Sequence, residues 1–420
     1  MTKVAYREIA GRSALYWLAV ILCAAGAAAG LASALYMRAY GHHVSGMNNQ
    51  IVWGMPHVFA VFLIVAASGA LNVASIASVF GRSLYKPLAR LSGLLAIALL
   101  VGGLWNLVLD LGRPGHLLAT VIYPNFRSIF AWNIYLYTGF LVIVGFYLWF
   151  MMERRLNPHT HKVGMLAFLW RLVLTTGTGS IFGFLAARSA YDSAVLAPLF
   201  ILMSFAFGLA IFSLVLLAGF KIVGRPVGGR VLARLKTLLG VFVAAVMYFV
   251  AVYHLTNIYI AGHRGVEAFV LLKGGLYTGL FWGGQVLVGG IVPLVLLLRR
   301  YPLDDVQGIA RALVWGALAV VAGGLAQIYV LIIGGQAYPL QMFPGMVVHS
   351  SFYDGVVHSY IPRWPETVLA LSGVAVVGLI VLIAVRLLPF LPENLTDEVV
   401  SAHGARPAAG SAAGESPVHP

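Results

Sequence analysis

The sequence predicts an all-α integral membrane protein of ten transmembrane helices, and three observations carry that prediction. Of the 420 residues, 61% are hydrophobic and only 10% are charged, whereas water-soluble folds carry roughly 25% charge. The apolar residues gather into ten runs, each near the ~20 residues that cross the hydrocarbon as a helix. The basic residues sit in short segments between those runs, a distribution that reads as a topology signal. Nucleic acid, which 27 Lys and Arg against 13 Asp and Glu would otherwise suggest, calls for a stripe or tail of charge instead.

The runs fall at 15–37, 56–80, 91–111, 129–151, 163–187, 193–220, 238–260, 276–298, 309–333 and 367–388. The first is too long for the apolar region of a cleaved signal peptide and lacks a convincing cleavage site, so it is expected to be retained as a helix. Before the eighth, "EAFVLLKGGLY" has the character of an interfacial segment. An even number of spans leaves both termini on one face. Nineteen Lys and Arg lie on that face and seven on the other, with Arg171 inside the fifth run. This asymmetry places both termini in the cytoplasm and the chain in the cytoplasmic (inner) membrane. Residues 1–392 are thus expected to form one membrane domain. Residues 393–420 are small, polar and Pro-containing, and are expected to be a disordered cytoplasmic tail.

A single cysteine, Cys23, excludes an intrachain disulfide framework and a cysteine-ligated iron–sulfur centre within this chain. No metal-ligand spacing is read elsewhere. Function is therefore sought among polar residues within spans, which are costly and mark either helix contacts or a pathway.

In the second run, Ser68, Asn72 and Ser75 fall near the face of His57, which lies at the outer end. The third run ends in "WNLVLDLGRP", where Asn106, Asp110 and Arg113 share a face. Asp110 and Arg113 are expected to pair, the cation keeping the carboxylate charged while Gly112 and Pro114 end the helix. The fourth run brings Trp132, Asn133, Tyr135 and Tyr137 in from the same side, Trp132 reading as an interface-belt aromatic. His254 and Asn257 lie on one face near the outer end of the seventh.

Together these clusters are expected to form one pocket for a flat, apolar molecule with oxygen at its ends. A b-type haem needs histidines paired across two helices. His57 with His254 is one such outer pair, without an inner counterpart. A quinone needs a hydrogen-bond donor, a protonatable group and an apolar slot, and is favoured over haem. The expected quinone contacts are His57, Asn106, Asp110, Arg113, Asn133, Tyr135, His254 and Asn257, with Asp110 and His57 moving protons.

The pieces "GMPHVFAVFLIVAASGA", "LDLGRP", "SIFAWNIYLY", "LAPLFILMSFAFGLAI", "FWGGQVLVGGIVPLVLL" and "IYVLIIGGQAYP" follow one another from the second run to the tenth. In that order they resemble the NrfD/PsrC family, the membrane subunits of the polysulfide reductase type. With ten spans and the loop "FPGMVVHSSFYDG", the chain is most similar to the ten-helix DsrP/HybB branch. The resemblance implies two four-helix bundles plus two flanking helices. It implies a quinone (menaquinone or ubiquinone) bound near the outer face, with no haem or Fe-S in this chain. It further implies electron exchange between the quinone pool and an extracytoplasmic ferredoxin-like iron–sulfur subunit of a respiratory complex, in sulfur-compound metabolism. The outer loop from Gly334 to Glu366 is the expected dock for that partner. A secondary transporter and a membrane anchor without a redox role are the alternatives.

Overall fold

The computed structural model describes residues 5–340 and 355–399. Among them, ten helices are long and apolar enough to cross a membrane, and the chain is an all-α, multi-pass membrane protein. The spans are α1 (Ala14–Tyr40), α2 (Met55–Ser78), α3 (Ser83–Leu109), α4 (Ile129–Met152), α5 (Asn157–Gly183), α6 (Leu196–Val223), α7 (Gly229–Tyr259), α8 (Leu276–Leu298), α9 (Val306–Ala337) and α10 (Trp364–Leu387). Each matches an expected run. The seventh begins nine residues earlier than the apolar run and includes Arg230, Arg234 and Lys236. Backbone hydrogen bonding continues past the hydrocarbon edge, and an apolar count misses those charged turns.

The two chain ends meet on one face, where β1 (Tyr6–Arg7) pairs antiparallel with β2 (Leu391–Pro392). Arg225, in the turn after α6, donates to the carbonyls of Arg7, Glu8, Leu391 and Pro392. We call this the terminal face and the opposite one the distal face. The segment beginning at Glu393, expected to be a disordered tail, is ordered at its start: Glu393 N donates to Ala5 O, Leu395 pairs with Val227, and Asp397 accepts from Arg230 N at 3.0 Å. Residues 400–420 lie outside the described residues.

Helices α2 to α5 form one four-helix group and α6 to α9 a second, while α10 packs on α3 and α2 with α1 outside it. The groups meet where α2 crosses α6. A Cβ added at Gly69 would strike the carbonyl of Ser204, and one at Gly208 the backbone of Gly69 and Ala70. Apolar side chains gain little by leaving lipid for one another, so membrane helices associate through close backbone approach at small residues. Just past this crossing α2 breaks at Leu71. Ser92 of α3 takes the vacated bond, donating to Ala70 O at 2.6 Å and accepting from Ala74 N at 3.0 Å. A side chain inserted into the helical ladder is a physical cause of such a break.

The break also ends the expected stripe on α2. Ser68 accepts from Thr175 of α5 at 2.6 Å, and Ser75 bonds back to Leu71 O, so both serve helix packing. Arg171, buried within α5, lies against the rings of Phe168 and Phe205 and donates to Ser68 O at 3.4 Å.

Two glycine substitutions test the crossing. Gly208→Val is expected to lower stability by at least the upper end of the ~1–3 kcal/mol typical of overpacking. Gly145→Ala meets nothing within 4 Å and is expected to leave stability unchanged or slightly raised. Thermal unfolding of the two variants in detergent checks this, and equal midpoints would show that the crossing does not hold the groups together.

Candidate functional site

The distal ends of α2, α3 and α4, with Ile181 and Phe182 of α5 and Ile332 of α9, line a partly open cavity of about 920 Å³, within the ~300–1,000 Å³ of small-molecule sites. Its walls are chiefly apolar: Val61 and Ile64 of α2, Leu104 and Leu107 of α3, and Ile134 of α4. The helical turn Leu117–Ile122, which buries none of its residues, adds Leu117 and Thr120. Trp53, His57, Asn133 and Tyr137 bring polar atoms to these walls.

The start of α2 is held by distal loops. Gln336 accepts from Val52 N and Trp53 N, each at 3.0 Å, and donates to Trp53 O at 3.0 Å. Arg188 donates to Gln50 O at 2.8 Å and Gln336 O at 3.1 Å, and burial lowers its pKa from the usual guanidinium value. Tyr360 donates to the buried Glu366 at 2.6 Å and accepts from Met55 N at 2.8 Å. Burial first, and then the Glu366 carboxylate, push the Tyr360 phenol upward, so it remains a neutral donor. Pro56 in the first turn suits a helix start, where no amide partner is lost. His57 therefore enters the cavity from a fixed backbone.

Nδ1 of His57 lies 2.9 Å from Oδ2 of Asp110, and their side chains are 21% and 2% exposed. The contact is close enough for an ion pair but off the line of a hydrogen bond. Nδ1 of His57 and Oδ1 of Asp110 thus stay buried without an aligned partner. Asp110 is absent from the cavity wall, so His57 alone of the pair reaches the cavity. Trp53 stacks near the imidazole, with centroids 6.1 Å apart.

The other expected contacts divide. Arg113 is exposed and forms no ion pair with Asp110; the basic side chain beside Asp110 is His57, and the expected Asp110 to Arg113 pair is corrected accordingly. The helix ends at Asp110, and by Arg113 the backbone has left the helical conformation, at φ −135° and ψ 72°, which carries the guanidinium off the shared helical face. Asn106 donates to Ala370 O at 2.9 Å and ties α3 to α10. Asn133 reaches the wall, but its amide is spent on Ile129 O and Gly177 O. Tyr135 turns to Val121 O at 2.9 Å. His254 and Asn257 belong to the second helix group, where both bond to Glu267. The single expected pocket is therefore two separate clusters, because α3 and α7 sit in different bundles.

Sequence reading missed the roles of Trp53, Tyr137 and Glu267. Trp53 lies ahead of the second apolar run and drew no reading, and Glu267 lies in a stretch that reads as interfacial. Tyr137, whose hydroxyl is 3.3 Å from Thr178 Oγ1, was legible as a polar atom two turns inside α4.

Ten apolar spans, with a cavity walled by α2, α3, α4, α5 and α9 beside an imidazole–carboxylate pair, define a polytopic membrane protein. The chain belongs to the polysulphide reductase NrfD family, whose profile matches residues 43–339. It is 29% identical over 400 residues to the Hdr-like menaquinol oxidoreductase integral membrane subunit of Archaeoglobus fulgidus, covering 94% of this chain and 99% of that protein. It is 23% identical to a selenate reductase subunit of Mesobacillus selenatarsenatis, over 88% of this chain and 93% of the relative.

His57 and His254 each face a carboxylate, at 2.9 and 2.7 Å, in different clusters, so they do not offer a shared axial pair. The purified chain is expected to show no b-type haem bands on reduction. A stoichiometric reduced b-type spectrum would contradict that geometry.

Proposed function

We propose that this chain is the quinone-interacting membrane subunit of an oxidoreductase complex, passing electrons between the membrane quinone pool and an iron–sulfur subunit on the distal face. The observation that carries the reading is the His57 to Asp110 pair, 2.9 Å apart at the polar end of an apolar cavity of about 920 Å³. The names of the relatives, a menaquinol oxidoreductase subunit and a selenate reductase subunit, support it. The basic-residue asymmetry supports a cytoplasmic terminal face and an extracytoplasmic distal face. Sulfur-compound metabolism is the setting proposed for the complex.

A quinol would give up two electrons and two protons on oxidation to the quinone, which takes up the same number on reduction, the protons at its oxygens. The residues of this chain fit such a head group. The apolar walls of α2, α3 and α4 accept a ring and tail and exclude water. His57 presents its second ring nitrogen to the cavity, as donor or acceptor. The carboxylate of Asp110, 2.9 Å from Nδ1, stabilises the imidazolium formed when His57 takes a proton, and would set the tautomer once the two atoms align. The electrons leave toward the distal face, where the segment between α9 and α10 is the proposed dock. Its centre, residues 341–354, lies outside the described residues; the ends are tied to the core through Gln336 and Glu366.

Three variants separate the roles. His57→Gln is expected to slow quinol oxidation by roughly 10²–10⁴-fold, the range for a lost general acid or base. Asp110→Asn, which acts through His57, should give a smaller loss and alter the pH profile of turnover. Arg113→Gln should behave as wild type, because Arg113 is exposed and unpaired with Asp110. Turnover in the assembled complex at several pH values is the measurement. Wild-type rates for both His57→Gln and Asp110→Asn would remove quinone chemistry from this cavity.

A further inference from the structure

A second buried acid lies in the α6–α9 group, apart from the His57 cavity. Glu267, in the segment between α7 and α8, is 4% exposed. One of its oxygens meets Nδ1 of His254 at 2.7 Å, and the other accepts from Nδ2 of Asn257 at 3.0 Å. His263 in turn bonds Asn257 at 3.1 Å.

Glu267 and His254 line an internal cavity of about 50 Å³ that extends to Gln285 and Gln327. From the same two glutamines a second cavity of about 20 Å³ continues to Met247, Gly289 and Gly323. A water needs roughly 10–15 Å³ of such space and two to four polar partners, so there is room for a short file of waters. The carboxylate, imidazole and two carboxamides are the polar partners that an empty apolar void would lack. Gln285 stands in a π-helical stretch, Leu280–Ile291, a widened turn that recurs at functional sites. Toward the terminal face the file ends. Leu297 and Leu298 fill against Gly316 and Gly240, and Lys236 closes over the carbonyls of Leu297 and Arg299.

We propose that Glu267 is a proton-loading site, fed from the distal face through His254 and hydrated along the glutamine-lined cavities. In the loading step the Nδ1–H bond of neutral His254 breaks as an O–H bond forms at Oε2 of Glu267, and an N–H bond forms at the other ring nitrogen with a proton from hydronium in the water file, leaving water and a neutral imidazole in its other tautomer. One proton is bound and no electron moves. The titratable groups facing the carboxylate are Tyr253 and His254 of α7 and His263 of the following turn, while α8 and α9 offer the neutral Gln285 and Gln327. No Lys or Arg lines either cavity among the described residues. Proton loading at Glu267 is independent of which ligand fills the other cavity. The segment between α5 and α6 lies between the two sites: Ala190 O accepts from Tyr253 at 2.7 Å, and Tyr191 stacks near Trp53 with centroids 6.4 Å apart.

Infrared difference spectra of the full-length chain, taken between acid and alkaline pH in H2O and D2O, test the assignment. The expected result is a carboxylic-acid carbonyl band that shifts in D2O, is absent from Glu267→Gln, and exchanges more slowly in Gln285→Leu, where the water file is filled. Should Glu267→Gln fail to insert, His254→Ala is expected to move the wild-type band. Overturning results are a wild-type chain without a buried-carboxyl band, a band that survives Glu267→Gln, or one indifferent to both Gln285→Leu and His254→Ala.

Discussion

The architecture depends on the backbone contact between Gly69 of α2 and Gly208 of α6. In lipid, where burying apolar side chains gives helices no reason to associate, the close approach of two glycines supplies the dispersion that holds two four-helix groups together. It also puts α2 at the centre of the molecule, against α3, α6 and α10 at once. The distal end of that central helix carries His57. That side chain meets a largely apolar cavity and a carboxylate from α3.

Buried polar groups sort themselves by whether they are satisfied. Asn133, Ser92 and Gln336 spend their hydrogen bonds on backbone atoms of neighbouring helices and loops, and each fixes one element relative to another. Among the described residues six buried side-chain atoms lack an aligned partner, and of these His57 Nδ1 and Asp110 Oδ1 belong to one contact beside the cavity. An unsatisfied buried polar atom costs about 1–3 kcal/mol, so a site that keeps two of them holds a bonding capacity that scaffolding does not use. The proposed quinone chemistry rests on that difference.

Much of the fold was legible because transmembrane helices announce themselves by length and composition: all ten runs correspond to spans. The sequence also singled out His57 and Asp110, since charge at the edge of an apolar run is conspicuous. Their pairing was not legible. Helical spacing joined Asp110 to Arg113 within one segment, while the true neighbour lies on another helix, a tertiary fact that periodicity does not encode. For the same reason His254 and Asn257, at similar depth to His57, were read into one pocket although they belong to the other bundle. Glu267 escaped notice because its partners are gathered by a turn between spans.

Photoaffinity labelling of the intact complex with an azido-quinone tests the central claim most directly. The account predicts label on α2 and α4, in peptides holding His57 to Ile64 and Phe130 to Tyr137, suppressed by excess unlabelled quinone and by His57→Gln. Competable label concentrated around Glu267 on the α7–α8 side, with the His57 cavity unmarked, would contradict it.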